Sequence, residues 1–436
     1  MPIPPQQLPI GVQNYPEIAT DSLLYVDKTA YIAKMISEHG TKAWFLGRPR
    51  RFGKSLIVST LKTVFSGQRE LFKGLAIEER LDEEIFAARP VIALDMSLVT
   101  NILGIEEFQK SLGRVTSSSA VWRGAKSATP NAISSPVEPF LFRGDPDLPP
   151  GEILSDLITN LSKLSGQRIA VLIDEYDKPY LDLIKTPKEA EKVRATMRDY
   201  FTRLKAIDEY ISFIFVTGIS KFSRMGVFSA LNNLRDISVS PEYATICGFT
   251  QEELSGPLGA RVEAVAASLG KNRNELLKEL KDYYDGFSFD GVTRVFNPFS
   301  VMLFLAEKVF DNYWFDSGTP QIIAQYIKGK RLTVEEFRGM ATTRSFIKNP
   351  GEIGASGAAS FLYQAGYLSV RADKLTNKYT LDYPNREVYE SMSRLLVENF
   401  FGDANIAEGA SDNLRNALVL CILIFFGYGG RIMVTT

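Results

Sequence analysis

The sequence predicts an α/β protein in which a mostly parallel sheet is followed by a mostly helical region. Two observations support this class. Over the first 250 residues, short apolar runs alternate with segments of helical periodicity, the pattern of strand–helix–strand units. After Gly248, helical patterns dominate. The composition is 45% hydrophobic and 23% charged, which excludes a wholly disordered chain.

Charge and composition exclude several kinds of chemistry. The 50 Lys and Arg residues balance 51 Asp and Glu residues, so the whole chain has no strong attraction to nucleic acid or anionic membrane. One histidine and two cysteines exclude His-based triads, zinc ribbons and disulfide frameworks. No signal peptide is visible, and the apolar run 417–426 is about half of the roughly 20 residues that span a bilayer. We therefore expect a cytoplasmic protein without a membrane partner.

The N-terminal region is expected to supply the strands of the sheet and the helices between them. The predicted strands are 43–46, 91–95, 169–174, 213–218 and 237–239, and the predicted helices are 55–65, 153–164 and 189–207. Residues 117–150 break the pattern, because they are rich in Ser, Pro and Gly and show no period. We predict an irregular, disordered insertion there that contributes nothing to a functional site.

The region after Gly248 combines helices with short hairpins. Amphipathic spacing predicts helices at 254–269 and 274–284. An Asp-Gly turn within 287–296 predicts a hairpin. A second hairpin is predicted at 367–383, followed by a helix at 387–400. Together these elements are typical of a winged-helix-like domain.

The most specific motif is the loop Gly47-Arg-Pro-Arg-Arg-Phe-Gly-Lys-Ser55. It follows the first predicted strand and begins a helix, which is the context of a P-loop, where amide groups and the helix dipole bind phosphate. Gly53 and Lys54 would form the phosphate cradle, with Lys54 reaching the β- and γ-phosphates of ATP. The Ser55 hydroxyl would ligate Mg²⁺.

The same loop departs from the P-loop consensus, because Arg48 occupies the place of the first glycine. A chance Gly-Lys-Ser is the alternative interpretation of the motif. Arg48, Arg50 and Arg51 crowd the loop, and they either neutralise phosphate or only solvate the surface. We favour phosphate binding for at least one of them, with Arg48 and Arg51 as the candidates.

A second motif ends the predicted strand 169–174 in two carboxylates, Asp174 and Glu175. This arrangement is typical of a Walker B site, where Asp174 would hold Mg²⁺ and Glu175 would orient and deprotonate the attacking water. A plain surface pair of acids is the alternative.

The strand 213–218 ends in Thr217, with Ser220 shortly after it. Thr217 is thereby placed to present a polar group to a γ-phosphate, although an ordinary strand end is the alternative.

Several motifs together resemble the prokaryotic AAA-ATPase-like family, and the resemblance covers about residues 8–400 apart from the Ser/Pro-rich segment. The motifs are Tyr25-Val-Asp-Lys-Thr29, Arg48-Pro-Arg-Arg-Phe-Gly-Lys-Ser55, Asp174-Glu-Tyr-Asp-Lys-Pro179, Thr217-Gly-Ile-Ser-Lys-Phe222, Pro241-Glu-Tyr-Ala-Thr-Ile-Cys-Gly-Phe249, Tyr284-Asp-Gly286, Asn297-Pro298 and Tyr313-Trp-Phe-Asp-Ser-Gly-Thr-Pro320.

The resemblance implies a P-loop ATPase of the ASCE type that binds ATP and Mg²⁺, with the Thr217 strand between the P-loop and Walker B strands. It also implies a winged-helix-like region after the ATPase core. The segment containing Asp27 is similar to one in archaeal STAND-type ATPases that lies near the nucleotide base, so Asp27 is a further nucleotide-binding candidate. The family tolerates Arg at the position of Arg48.

The same resemblance implies a C-terminal nuclease-like domain of the PD-(D/E)XK type. We expect residues 1–245 to form the ATPase domain, 246–385 the winged-helix-like domain, and 386–436 a truncated remnant of the nuclease-like domain. The remnant contains no Glu-x-Lys pair, so we expect no nuclease activity. Whether 117–150 and 414–436 are native sequence or reading-frame artefacts is left open.

Three functions remain open from the sequence. The first is an ATP-hydrolysing switch or remodeller of a nucleic-acid or protein partner, acting alone or as a homo-oligomer. The second is an ATP-binding regulatory module with negligible turnover, and the third a nucleic-acid-associated protein whose nuclease domain is missing. Glu175 favours hydrolysis, because a pure binder does not need it. No arginine finger is identified, and Arg224 is only a candidate.

Overall fold

The structure is a computed structural model that describes residues 6–80, 85–100, 104–122, 148–183, 186–221, 231, 233–318, 334–350, 357–373, 375–376 and 378–401. Its centre is a six-stranded sheet. The strands are β1 (Ala43–Gly47), β2 (Val91–Asp95), β3 (Ala120–Val121), β4 (Ile169–Asp174), β5 (Ile211–Gly218) and β6 (Arg235–Asp236). Their order across the sheet is β3-β2-β4-β5-β1-β6, and every pair is parallel except β2 with the edge strand β3.

Helices cover this sheet on both faces. They are α1 (Tyr15–Thr20), α2 (Thr29–Ser37), α3 (Lys54–Phe65), α4 (Ile105–Ser117), α5 (Pro150–Ser165), α6 (Lys178–Leu181) and α7 (Pro187–Ala206). All six residues of β4 are buried, as are the first four of β1. Continuous apolar runs of this kind fit strands that are packed on both faces of a parallel sheet.

The second region is mostly helical and ends in a small antiparallel sheet. Its helices are α8 (Gln251–Ser255), α9 (Gly259–Ser268), α10 (Arg273–Tyr284), α11 (Pro298–Glu307), α12 (Tyr313–Gly318), α13 (Arg344–Lys348), α14 (Gly357–Ala365) and α15 (Arg386–Phe401). Strands β7 (Met340–Thr342), β8 (Ser369–Asp373) and β9 (Lys378–Asp382) pair in the order β7-β9-β8. Short 3₁₀ turns lie at Arg69–Phe72, Met96–Leu98, Asp208–Tyr210, Pro241–Tyr243 and Glu335–Phe337.

The predicted α/β class and the implied strand order are confirmed. Strand β5 lies between β1 and β4, with Leu46 paired to Thr217 and Ile173 paired to Val216. Because β1, β4 and β5 are parallel, their carboxyl ends meet at one edge of the sheet. The loop after β1 and the acids after β4 therefore lie at the same edge.

Four sequence expectations need correction. The last strand is Arg235–Asp236 rather than 237–239. The helix expected at 254–269 is divided into α8 and α9, since Gly256 and Pro257 interrupt it. The 287–296 hairpin is reduced to one antiparallel bridge between Phe287 and Val295.

The fourth correction concerns the expected insertion at 117–150. Its start is ordered, because β3 at Ala120–Val121 pairs with β2, and its end begins α5 at Pro150. Residues 123–147 lie outside the described residues, as do Arg224 and everything beyond residue 401.

One buried core joins the sheet to much of the second region. It contains Trp44 and Phe215 of the sheet together with Phe287, Trp314 and Tyr367. A separate small core, which includes Leu254, Leu280 and Phe304, lies among helices α8 to α11. The second region therefore packs directly on the sheet, close to the edge where the P-loop motif lies.

Candidate functional site

The loop between β1 and α3 has the backbone form that a phosphate cradle needs. Gly53 has φ +93° and is the residue before α3, and Arg51 has φ +63°. Positive φ costs a non-glycine residue about 1–3 kcal/mol, and such residues cluster at functional sites. The loop thus runs into the N-terminus of a 12-residue helix, where free amide groups favour an anion.

Lys54 is buried and lies within reach of three carboxylates. Its ammonium group donates to the carbonyl oxygen of Pro49 at 3.0 Å, inside the loop itself. Burial lowers the pKa of Lys54, while the charges of Asp174, Glu175 and Asp177 act in the opposite direction. A buried ammonium group in a loop of this form is suited to bind a phosphate oxygen.

The two acids after β4 lie beside the helix N-terminus. Burial raises the pKa of Asp174 to about 6, and a hydrogen bond from the Ser55 hydroxyl opposes that rise. The backbone N–H of Glu175 donates to the Asp174 carboxylate at 2.9 Å. Glu175 itself has φ +48°, the second strained non-glycine position at this site. The structure therefore brings Ser55, Asp174 and Glu175 together.

A cavity of about 320 Å³ opens onto this cluster. Its volume is in the range of small-ligand pockets. One end is lined by the P-loop and by the residues after β4, including Lys54, Ser55 and Glu175. The rest of the lining, the apolar end, is formed mostly by apolar residues together with Lys28: Tyr25, Val26 and Ile32, 246–249, Pro298, Phe299 and Met302. A polar end for phosphate and an apolar end for a base is the division that a nucleotide requires.

Asp27 does not line the cavity, although its neighbours do. Its carboxylate accepts from the backbone N–H of Thr29 at 2.8 Å and from that of Ala76 at 2.8 Å. It therefore fixes the start of α2 and an adjacent loop. A nucleotide contact by Asp27 stays a prediction, and its neighbour Lys28, paired with Glu253 at 2.5 Å, lines the cavity wall.

Arg48 also points away from the cavity. Its side chain is 1% exposed and donates to the carbonyl oxygens of Gly47 (2.9 Å), Ser238 (2.6 Å) and Tyr243 (3.1 Å). Its guanidinium group lies 3.8 Å from the centre of the Phe289 ring. The Arg48 side chain thus connects parts of the fold, and phosphate binding by Arg48 stays a prediction. Arg51 lines the cavity, and its predicted contact with phosphate also stays a prediction.

Thr217, the candidate at the end of β5, also has an internal partner. It is fully buried, and its hydroxyl donates to the carbonyl oxygen of Leu46 at 2.8 Å, so it ties β5 to β1 and does not line the cavity. Ser220 likewise donates to the Asp177 carboxylate at 2.5 Å. The polar groups at the end of β5 are used for internal contacts.

The sequence interpretation missed Asp177. It also missed the far wall of the cavity, which is formed by 246–249 and by Pro298, Phe299 and Met302 of α11. Asp177 is 1% exposed and accepts from the backbone of Ile219 and Ser220, which fixes the end of β5 against that of β4. Its place in Asp174-Glu-Tyr-Asp-Lys-Pro179 is the signal that was available. No periodicity could have shown that 246–249 and the start of α11 close the cavity, because those contacts are long-range.

The donor set fits Mg²⁺. Mg²⁺ prefers oxygen ligands and is commonly bound through one or two carboxylates plus substrate phosphates. Ser55 supplies a hydroxyl at the start of α3, and Asp174 supplies a carboxylate at the end of β4. Within the described ranges there is no group of three or more His, Cys, Asp or Glu residues that could bind a metal. The ion would therefore depend on phosphate for its remaining ligands.

The structural role of Arg48 leads to a testable expectation. Arg48→Met leaves three carbonyl oxygens without this donor, one of them buried and two partly buried, so we expect the free energy of unfolding to fall by about 2–4 kcal/mol. The Kd for ATP should stay within about threefold, because Arg48 does not line the cavity. Urea unfolding and calorimetry measure the two quantities. The control is Arg51→Met, for which the reverse is expected: weaker ATP binding and unchanged stability.

The sheet order and the site define a P-loop protein of the ATPase class. A family model described as predicted AAA-ATPase matches residues 9–228, about half of the chain. The chain is also 31% identical over 396 residues to a protein of Azotobacter chroococcum mcd 1 named as an uncharacterized protein in the vnfD 5′ region. That match covers 90% of this chain and 70% of the relative. The chain belongs to the predicted AAA-ATPase family.

The fold was also compared with a solved structure of the Aeropyrum pernix ORC2 protein in ADPNP–ADP complexes. The match covers 94% of this chain and 96% of the ORC2 chain. The sequence identity is 10% and the TM-score 0.29, which adds nothing to a fold already defined by the sheet. Among the described residues, no helix is long and apolar enough to cross a membrane.

Proposed function

We propose that this protein is a Mg²⁺-dependent ATPase that acts as a switch or remodeller of a macromolecular partner. The observation that supports the proposal most is that Lys54, Ser55 and Glu175 line one end of the cavity, while Asp174 precedes Glu175 at the end of β4 and lies within electrostatic range of Lys54. These are the phosphate-binding, metal-binding and water-activating groups of a P-loop ATPase, contributed by two separate parts of the chain.

Each group has a distinct role in the proposal. Lys54 and the amide groups around Gly53 bind the β- and γ-phosphates, and Arg51 adds positive charge at the rim. Ser55 and Asp174 would hold Mg²⁺, which when bound neutralises phosphate charge. Glu175 orients the attacking water and accepts its proton.

The apolar end of the cavity is proposed to receive the base. Tyr25 lies in this wall, and burial raises its pKa far above the usual range, so it stays neutral. Phe249 and Met302 come from the second region. Residues from both regions would therefore contact one nucleotide, which suits a switch.

The second candidate is an ATP-binding module with negligible turnover. It is favoured by the burial of Thr217 and Arg48, because neither can stabilise charge on the γ-phosphate. Rate enhancements of about 10³–10⁵ come from an arginine finger in related NTPases. Such a residue would have to come from a partner, a second copy, or residues outside those described, which include Arg224. Turnover is therefore proposed to be slow until the partner binds.

Phosphate release distinguishes the two candidates. Purified wild-type chain is incubated with Mg-ATP beside Lys54→Ala, and free phosphate is followed over many turnovers. The ATPase proposal expects continuous, Mg²⁺-dependent release by the wild type and background release by Lys54→Ala. Stoichiometric ATP binding with no release above the Lys54→Ala background would instead support the regulatory module. The domain boundaries, the cytoplasmic location and a protein, nucleic-acid or self-association partner remain proposals.

A further inference from the structure

The second region contacts the backbone of the P-loop directly. The indole N–H of Trp314, on α12, donates to the carbonyl oxygen of Arg50 at 2.9 Å. Trp314 is 1% exposed and does not line the cavity, whereas Arg50 and Arg51 do. This hydrogen bond therefore reaches the loop from behind the proposed phosphate site.

A second contact packs the second region tightly against the P-loop backbone. Gly366, after α14, has φ +92°, and a Cβ atom there would lie 2.6 Å from Pro49 of the loop and 3.3 Å from Trp314. The distance to Pro49 is too short for a side chain and the distance to Trp314 is tighter than an ordinary contact, so only glycine permits this approach without a displacement of Pro49. The P-loop backbone thus packs against a fixed surface of the second region.

Aromatic rings continue the contact into the core. The rings of Phe52 and Phe287 are 4.9 Å apart, those of Phe287 and Trp314 5.7 Å, and those of Trp314 and Tyr367 5.0 Å. All four side chains are about 1% exposed. Phe52 belongs to the loop, so the loop is joined to the second region by one continuous packed row.

Trp314 is itself firmly positioned. Its backbone N–H donates to the buried carboxylate of Glu387 at 2.7 Å, and the same carboxylate accepts from Ser300 of α11. Helix α11 also supplies Phe299 and Met302 to the cavity wall. The indole group is thus connected to the helix that contributes to the base end of the cavity.

Peptide geometry links this contact to phosphate binding. The carbonyl of Arg50 and the N–H of Arg51 belong to one peptide, and no peptide bond among the described residues is cis. In a trans peptide these two groups point in opposite directions. Because Trp314 fixes the carbonyl, the N–H of Arg51 is directed away from Trp314.

We infer that Trp314 is a positioning residue for the P-loop: it orients the Arg50–Arg51 peptide so that its N–H faces the phosphate side of the cavity. Gly366 permits the close packing that makes this contact. Nucleotide affinity then depends on docking of the second region, and nucleotide in turn stabilises docking, because coupling between two binding events is reciprocal. This inference rests on the proposed function and identifies how the same site is regulated.

The test compares two pairs of variants in the full chain. Trp314→Phe keeps an aromatic ring but removes the indole donor. Tyr284→Phe removes a hydroxyl away from the loop, which donates to the carbonyl oxygen of Asp311 at 3.0 Å and accepts from its backbone N–H at 3.1 Å. Gly366→Ala blocks the packing, and Gly339→Ala introduces alanine at another positive φ, +61°, where nothing lies within 4 Å. Calorimetric Kd values for ATP and urea unfolding are measured for all four and for the wild type.

We expect Trp314→Phe and Gly366→Ala to weaken ATP binding by about 5- to 30-fold, and both controls to stay within about twofold. A merely structural role would instead make the loss of affinity follow the loss of stability in all four variants. If the wild type binds ATP but the first two variants bind it as the wild type does, the inference is wrong and the proposed function stands. If the wild type does not bind ATP, both are wrong.

Discussion

Glu175→Gln is expected to lower the rate of ATP hydrolysis by about 10²–10⁴-fold, the usual contribution of a general base. The amide keeps the shape of the side chain but cannot accept the proton of the attacking water. Binding should persist, because the phosphate contacts are assigned to Lys54 and the loop amides. We therefore expect the Kd for ATP to change by less than about threefold. Single-turnover phosphate release and calorimetry measure the two effects separately.

Asp182→Asn provides the control for this prediction. Asp182 caps the C-terminus of α6 and forms an exposed ion pair with Lys178, and such pairs contribute little to stability. It should leave both hydrolysis and binding unchanged. Equal hydrolysis rates for wild type and Glu175→Gln would remove Glu175 from the mechanism and favour the regulatory module.

Asp174→Asn is expected to stabilise the nucleotide-free protein while it impairs Mg²⁺-dependent binding. Burial raises the pKa of Asp174 to about 6 from an ordinary value of 3.8. The folded state thus binds this proton more tightly than the unfolded state does. The wild type therefore loses stability as the pH rises from about 4 to about 6. Above pH 6 the total loss from this carboxyl group is about 3 kcal/mol.

Asparagine does not ionise, so the variant avoids that loss. At pH 7.5 we expect it to be about 1–3 kcal/mol more stable than the wild type, and at pH 4 the two proteins should be nearly equal. Urea unfolding at both pH values measures the difference. The variant should also lose the strengthening of ATP binding by Mg²⁺, since it lacks the metal-binding carboxylate. A stability difference that does not depend on pH would contradict the assignment.

The sequence was sufficient to predict the elements that carry the site. The apolar runs at β1 and β4 and the helix after Ser55 are local patterns, and the structure confirms them. The position of β5 between β1 and β4 also followed, because the resemblance implied it. The pattern predicted the order of strand, loop and helix, and this order determines where the backbone of the phosphate-binding loop lies.

The direction of individual side chains could not be predicted in this way. Arg48 and Thr217 stand next to the site in sequence, yet both form buried hydrogen bonds with residues far along the chain, Ser238 and Leu46 respectively. A motif fixes the position of a Cα atom more firmly than the direction of a side chain. Long-range partners decide that direction, and only the fold shows them.

The far wall of the cavity was missed for the same reason. Phe249 and Met302 are apolar residues within helical or turn patterns, and nothing local distinguishes them from core residues. Trp314 is buried like the core residues around it. Its hydrogen bond to the P-loop depends on a contact across more than 260 positions of the chain.

Calorimetric titration of Mg-ATP into the wild-type chain and into Lys54→Ala tests the central claim most directly. If Lys54 binds phosphate as proposed, the wild type has one binding site for Mg-ATP. In the variant we expect the Kd to be higher by roughly 10- to 150-fold, because a hydrogen bond of about 1.5–3 kcal/mol to a charged group is lost. Urea unfolding of both proteins confirms that the variant is folded. Equal affinities of the two folded proteins for ATP would contradict the proposal that Lys54 binds phosphate at this site.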